Sequence, residues 1–319
     1  MAGSYKSINF QIRPAKNIER KMLAEAFRRL MVFGPLSSYR YVGLGSTFFS
    51  DFSLFHKVLG TSRMISIEVT EDQKGRFRFN RPYLCVQVKF GHSNDVLPTL
   101  PWKEKTILWL DYDGLLNERV FTDIRLFCTR AVPGSMIIIT VNARPARYDP
   151  ERNDPNRVDL LRRHVGPDRV PPDIQHADLS DWGTATVYHR IINNEILERI
   201  ADRNGALVGG QKLLYRQLFN FHYSDSSMML TVGGLVYRRA DQTLVDSSGL
   251  ERSRLDFIRT GVQPFLIDPP NLTLRELHHL DGQFPLSIKS RRTRTIPATE
   301  RDKYSRLYRY FPKFAEAEV

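Results

Sequence analysis

Two glycines, one glutamate and two aspartates stand out in this 319-residue chain as residues whose types and spacing could do chemistry. Gly43 and Gly45 close an apolar run, YRYVGL (39–44), and a helix-like stretch opens a few residues later. Glycine at such a crossing removes the Cβ that would hold a ligand away from the backbone. Glu68 ends the next apolar run, MISIE (64–68), 23 residues beyond Gly45. In doubly wound sheets an acidic residue about 20 residues on accepts hydrogen bonds from a ribose diol. Together they suggest an adenosine-containing cofactor, although two glycines at a strand end also suit a tight turn.

Asp111 and Asp113 follow a further run, TILWLD (106–111). Open α/β sheets present ligands at strand C-termini, where a carboxylate could deprotonate a hydroxyl or amine, or help to hold a metal. Asp113 would equally suit the N-terminus of a following helix, against its dipole. Other chemistries lose ground. A dinucleotide fingerprint wants Gly or Ala where Phe48 stands, and no GKS or GKT phosphate loop occurs. The eight histidines form no HExxH or Cys/His ligand spacing. Cys85 and Cys128 sit in the apolar stretches YLCVQV and IRLFCTR and read as small buried hydrophobes.

These residues need a scaffold. Apolar runs suited to buried strands are 39–44, 64–68, LCVQV (84–88), 106–111 and SMIIITV (135–141). Helix-like stretches Phe48 to Leu59, Thr70 to Asn80 and Asn117 to Arg130 lie between them. Such alternation predicts a parallel sheet with helices on both faces. A first helix is expected from Asn17 to Met31, with Leu23, Phe27, Leu30 and Met31 on one face. Residues 143–182 carry six prolines and little periodicity, and read as an excursion or lid. A helix from Thr184 to Arg203 follows, then an antiparallel hairpin, LLYRQLFNFHY and MMLTVGGLVYRR, around Ser224–Ser227. The expected domains are a helical cap (1–36), a Rossmann-like core (37–240) holding the 143–182 lid, and a basic extension (241–319) with a helix near 273–280.

At this point the chain resembles the class I S-adenosylmethionine-dependent methyltransferases, over roughly 37–240, and more distantly uncharacterised bacterial O-methyltransferase-like proteins. The resemblance implies a seven-stranded sheet closed by a reversed strand pair, which 213–237 matches. It implies that VGLGS (42–46), with Gly43, Gly45 and Ser46, wraps the amino-acid part of S-adenosylmethionine. Glu68 would hold the ribose, Asn94 and Asp95 of the HSND loop the adenine, and Asp111 would face the methyl group. Asp111 and Asp113 would be the catalytic candidates. The superfamily's acidic residue just before the glycine loop is replaced by Tyr41 and Val42, leaving Asp51 or Asp111 to compensate. Asn142 lies near the point where metal-dependent catechol-type enzymes place an Asn beside an Asp. Val141 precedes it here, so a full metal triad is absent and no metal is assigned. The [ND]-P-P-[YFW] tetrad of many amino-methylating DNA enzymes is missing after the fourth strand. Asp268-Pro269-Pro270-Asn271 lies beyond the closing hairpin and reads as a turn.

The net charge of +12, with nine Lys/Arg against four Asp/Glu in 286–319 and eight against two in 1–40, favours an anionic partner. Two solvated flanks would account for it as well as a nucleic-acid surface using Arg291, Arg292 and Arg294. The leading expectation is a methyltransferase acting on a nucleic acid or other anionic macromolecule. Alternatives are small-molecule O-methylation and a catalytically degenerate fold that only binds a partner. No apolar run is long enough to span a membrane and the start lacks a signal peptide's apolar region, so a cytoplasmic location is expected.

Overall fold

The computed structural model describes residues 13–147, 156–285 and 295–313. Five strands run parallel: β1 (Arg40–Leu44), β2 (Arg63–Glu68), β3 (Val86–Phe90), β4 (Thr106–Leu115) and β5 (Ser135–Asn142). The hairpin of β6 (Leu213–Ser224) and β7 (Met228–Arg238) follows, with β7 antiparallel to both β5 and β6. The order is β3-β2-β1-β4-β5-β7-β6-β8. The seven strands expected are thus joined by an eighth, β8 (Phe265–Ile267), which runs parallel to β6 along Phe221–Tyr223. It comes from the 241–319 segment, so part of that extension completes the sheet. A three-residue strand, with Phe265 and Ile267 buried and Leu266 half-exposed, is too short to show in a periodicity.

The helices are α1 (Pro14–Arg28), α2 (Ser50–Leu59), α3 (Lys74–Phe79), α4 (Ser93–Val96), α5 (Glu118–Arg130), α6 (Arg157–Val165), α7 (Gly183–Asn204), α8 (Gln242–Ser247), α9 (Leu274–Asp281) and α10 (Ala298–Leu307). Alternation along the strands supplies two cores. Tyr41, Met64, Ile107, Trp109, Met136 and Ile138 face α1, α2 and α3. Val42, Ile65, Leu108, Leu110, Ile137 and Ile139 face α5, α6 and α7.

Several boundaries differ from expectation. Helix α1 begins earlier, with proline in its first turn, and ends at Arg28 in a 3-10 turn (Arg29–Phe33), which leaves Met31 64% exposed. The 70–80 stretch is a 3-10 turn (Glu71–Gln73) followed by the short α3. Strand β3 starts at Val86, leaving Leu84 outside it and 88% exposed. The described part of the expected lid, 156–182, carries α6, whose Val158, Leu161 and Val165 sit in the α5–α7 core with Val170 and Leu179. Prolines and charges there mask a three-residue apolar stripe. Among the described residues no helix is long and apolar enough to cross a membrane.

Candidate active site

The glycine loop leaves β1 and enters α2 at the C-terminal end of the sheet. A Cβ on Gly45 would stand 2.1 Å from Ser66 Oγ and 2.3 Å from Glu68 Oε1, and one on Gly43 3.3 Å from Asp51 Oδ2. Those distances are too short for any side chain at Gly45, so the glycine makes room for Glu68. The Ser66 hydroxyl donates to Glu68 at 2.7 Å. Glu68 is 5% exposed, and burial, with the nearby Asp51 adding to it, pushes its carboxyl up to about 8 against the help of Ser66.

The same loop holds polar atoms in want of a partner. Thr47 Oγ1 and Ser50 Oγ are buried and, among the described residues, accept or donate no hydrogen bond. The Ser46 hydroxyl accepts from the Phe48 amide at 3.2 Å, folding the loop on itself. Phe49 takes a left-handed φ of 46°, unusual for a bulky residue, and its ring is fixed against Phe52 and Phe77. The buried carboxyl packed against Gly45 and the hydroxyls of the loop form a donor and acceptor set that suits a polar ligand such as S-adenosylmethionine.

Tyr41 and Val42 replace the usual acidic residue, and Asp51 brings a carboxylate to the spot from the first turn of α2. The Tyr41 hydroxyl donates to Asp51. Burial raises the Asp51 carboxyl and the Arg20 charge opposes that rise, while burial and Asp51 together raise the Tyr41 phenol.

The other half of the cleft is assembled by α1. Lys16 is 1% exposed, and its ammonium lies 2.7 Å from Glu19 Oε2, 2.8 Å from Asp111 Oδ2 and 3.0 Å from the Tyr223 hydroxyl. It also sits 4.5 Å above the Trp109 ring. Trp109 Nε1 donates to Thr140 at 3.0 Å, Thr140 is 2.7 Å from Thr231, and Thr231 donates to Glu19. A continuous polar chain thus crosses β4, β5 and β7 to reach α1. In the hairpin turn, Asp225 accepts the Ala15 and Lys16 amides at 3.0 and 3.1 Å and pairs with Arg13. That carboxylate caps α1 and fixes Lys16 over the sheet.

Gly43, Gly45, Ser46, Glu68 and Asp111 therefore lie at the C-terminal ends of β1, β2 and β4. Asp95 is exposed in α4, after β3, and the Asn94 side chain is turned onto Asp123 at 2.7 Å and the Arg119 carbonyl at 2.9 Å. Asn94 thus braces α4 against α5. Asp113 is exposed and belongs to β4, which continues past Asp111 through a register shift; Asn117 caps α5 instead. Asn142 ends β5, with its side chain on the Arg144 amide and Ser227. Asp268 follows β8 at the far edge of the sheet and pairs with Lys303 of α10. Arg291, Arg292 and Arg294 lie outside the described residues.

Sequence reasoning missed Lys16, Glu19 and Arg20. The signal was present: the apolar face of Leu23 and Phe27, extended one turn back at helical spacing, lands on these charges. Charged residues in a buried stripe mark a functional or structural ion-pair cluster.

A family model described as "Putative O-methyltransferase" matches residues 8–319. The chain belongs to this family. With the strand order and the reversed β6–β7 pair, that makes it a class I, S-adenosylmethionine-dependent methyltransferase. Similar solved structures include the N-methyltransferase NodS from Bradyrhizobium japonicum, 10% identical over 69% of this chain and 97% of that one, with a TM-score of 0.39. A second is an S-adenosylmethionine-dependent methyltransferase from Mesorhizobium loti, 16% identical over 67% and 96%, TM-score 0.38. A third is the O-methyltransferase TomG from Streptomyces achromogenes, in complex with S-adenosylmethionine, 14% identical over 67% and 79%, TM-score 0.35. No curated protein matches the chain.

Proposed function

We propose that the enzyme methylates a hydroxyl oxygen, with Glu68 and the glycine loop holding the methyl donor and Asp111 with Lys16 handling the acceptor. The observation that carries this reading is the 2.8 Å Lys16–Asp111 pair at the C-terminal end of β4. The O-methyltransferase description of the family supports it.

The bound cofactor would supply a methyl group on a positively charged sulfur. Glu68 would accept the ribose hydroxyls, and Asp51 would face the donor's ammonium in place of the superfamily's usual acidic residue. An acceptor hydroxyl at Asp111 would give its proton to that carboxylate as the oxygen–methyl bond forms. Lys16 orients Asp111, and its positive charge beside that carboxylate favours the negative charge that builds on the oxygen. Glu19, Tyr223 and Trp109 hold the ammonium without reaching the acceptor.

The test is incubation with methyl-labelled S-adenosylmethionine and a panel of phenols and small hydroxy acids. Transfer to oxygen should fall at least a hundredfold in Asp111→Asn, within the usual range for a lost general base. Methyl transfer to nitrogen, or undiminished turnover in Asp111→Asn, would overturn the assignment.

A further inference from the structure

The strongest uncommitted surface lies along the outer edge of β3, at the opposite side of the sheet from β8. Between Asp72 and Asp95 the sequence contains no carboxylate, yet it holds Lys74, Arg76, Arg78, Arg81 and Lys89. The near-neutral total for the middle of the chain conceals this local run. Arg76, Arg78 and Arg81 are exposed, and between them Phe79 projects with 88% of its surface open to solvent. Leu84 is also 88% exposed, and Val69, just past Glu68, is 55% exposed. Lys74 and Arg78 lie 5.3 and 6.0 Å from the Phe90 ring, which brings both cations against the β3 edge. No described strand pairs with the outer side of β3.

An exposed phenylalanine of this degree has no folding rationale, because burying its ring is favourable. Nor does the patch suit a symmetric pairing with a second copy, which would set five cations against five. The partner must be anionic, and it must offer a flat apolar face to Phe79. Alternating cations and aromatic rings at the surface meet both needs when phosphates and bases alternate along a flexible strand.

We infer that the β3 edge, with Arg76, Arg78, Phe79 and Arg81, binds single-stranded nucleic acid. The strand follows the edge from the Phe90 end, next to Glu68, toward Leu84. Cations neutralise phosphates and Phe79 stacks on a base. The inference concerns binding alone and is independent of which atom receives the methyl group.

Fluorescence anisotropy with a labelled 12-nucleotide mixed-sequence strand tests it, across a series of salt concentrations. Arg76→Ala/Arg78→Ala/Arg81→Ala should flatten the logarithmic salt slope by about 2 units, at roughly 0.7 per phosphate released. Phe79→Ala should weaken binding about tenfold at fixed salt, the cost of one lost base stack. An abasic strand should be indifferent to Phe79→Ala. Should the triple variant fold poorly, Arg76→Glu at its exposed helical position replaces it, and should weaken binding with an unchanged melting temperature. An unchanged salt slope in a folded triple variant overturns the inference. So does undiminished affinity in Phe79→Ala, the result expected of a surface for acidic proteins, which would hold polyglutamate as tightly as the strand.

Discussion

The two halves of the cleft solve the problem of buried charge in opposite ways. On the β1–β2 side, Glu68 is buried beside a serine and a glycine, with no cation paired to it among the described residues, and its carboxyl is pushed up to about 8. On the β4–β7 side, every buried charge near Asp111 is matched: Lys16 by Glu19 and Asp111, Glu19 by Lys16 and Thr231. A half that waits for a ligand can leave its carboxyl unpaired and protonated. A half that must hold a proton acceptor in one place needs its charges tied together before the acceptor arrives. The contrast is the one expected if, as proposed, the first half binds the cofactor and the second positions the acceptor.

The largest effect should come from breaking the paired half. Lys16→Met leaves Glu19 and Asp111 without their cation, and removing one partner of a buried pair costs about 3–5 kcal/mol. Chemical denaturation should show that loss, and Lys16→Met/Glu19→Gln should recover part of it. A Lys16→Met protein as stable as the parent would mean that the network carries no net charge coupling.

A smaller effect belongs to the unpaired half. The Glu68 carboxyl titrates near 8 when folded and near 4.5 when unfolded. Between these values the folded state holds the extra proton, so stability is full below about pH 4.5 and falls as pH rises through 8. Glu68→Gln should abolish that decline, which measures roughly a few kcal/mol across the window. Donor binding should run the other way, tightening with pH as the carboxylate forms, because the ionised group is the better acceptor for ribose hydroxyls. A melting profile with the same pH dependence in Glu68→Gln and parent would refute the assignment of this titration.

The smallest effect sharpens the division. Asp225→Ala removes the cap on α1 and should cost about 1 kcal/mol. Because it loosens Lys16 without touching the glycine loop, it should lower kcat and leave the affinity for S-adenosylhomocysteine unchanged. Equal losses in both would show that α1 serves the two halves alike.

These halves also differ in how far they could be read from sequence. Gly43, Gly45 and Glu68 belong to consecutive strand–helix units, and the local pattern of apolar runs is enough to bring them together. Lys16 meets Asp111 and Tyr223, and Glu19 meets Thr231, only through tertiary packing across most of the chain, which no local periodicity encodes. Asp113 looked equivalent to Asp111, but the register shift in β4 carries it out to solvent. Asn94 was read as a ligand contact, whereas buried Asp123, unseen as a partner from α5, claims it. The five parallel strands were legible because their apolar runs alternate with helix-like stretches, even though β3 is buried only at Val86; β8 was not, being three residues long.

Calorimetric titration with S-adenosylhomocysteine tests the central division most directly, in the parent, Glu68→Ala and Asp111→Asn. Glu68→Ala should weaken binding about ten- to a hundredfold, the equivalent of roughly 1.5–3 kcal/mol for charge-assisted hydrogen bonds to a diol. Asp111→Asn should bind like the parent while failing to transfer methyl. Parent-like affinity in a folded Glu68→Ala protein, or a loss in Asp111→Asn as large as that in Glu68→Ala, would contradict the account.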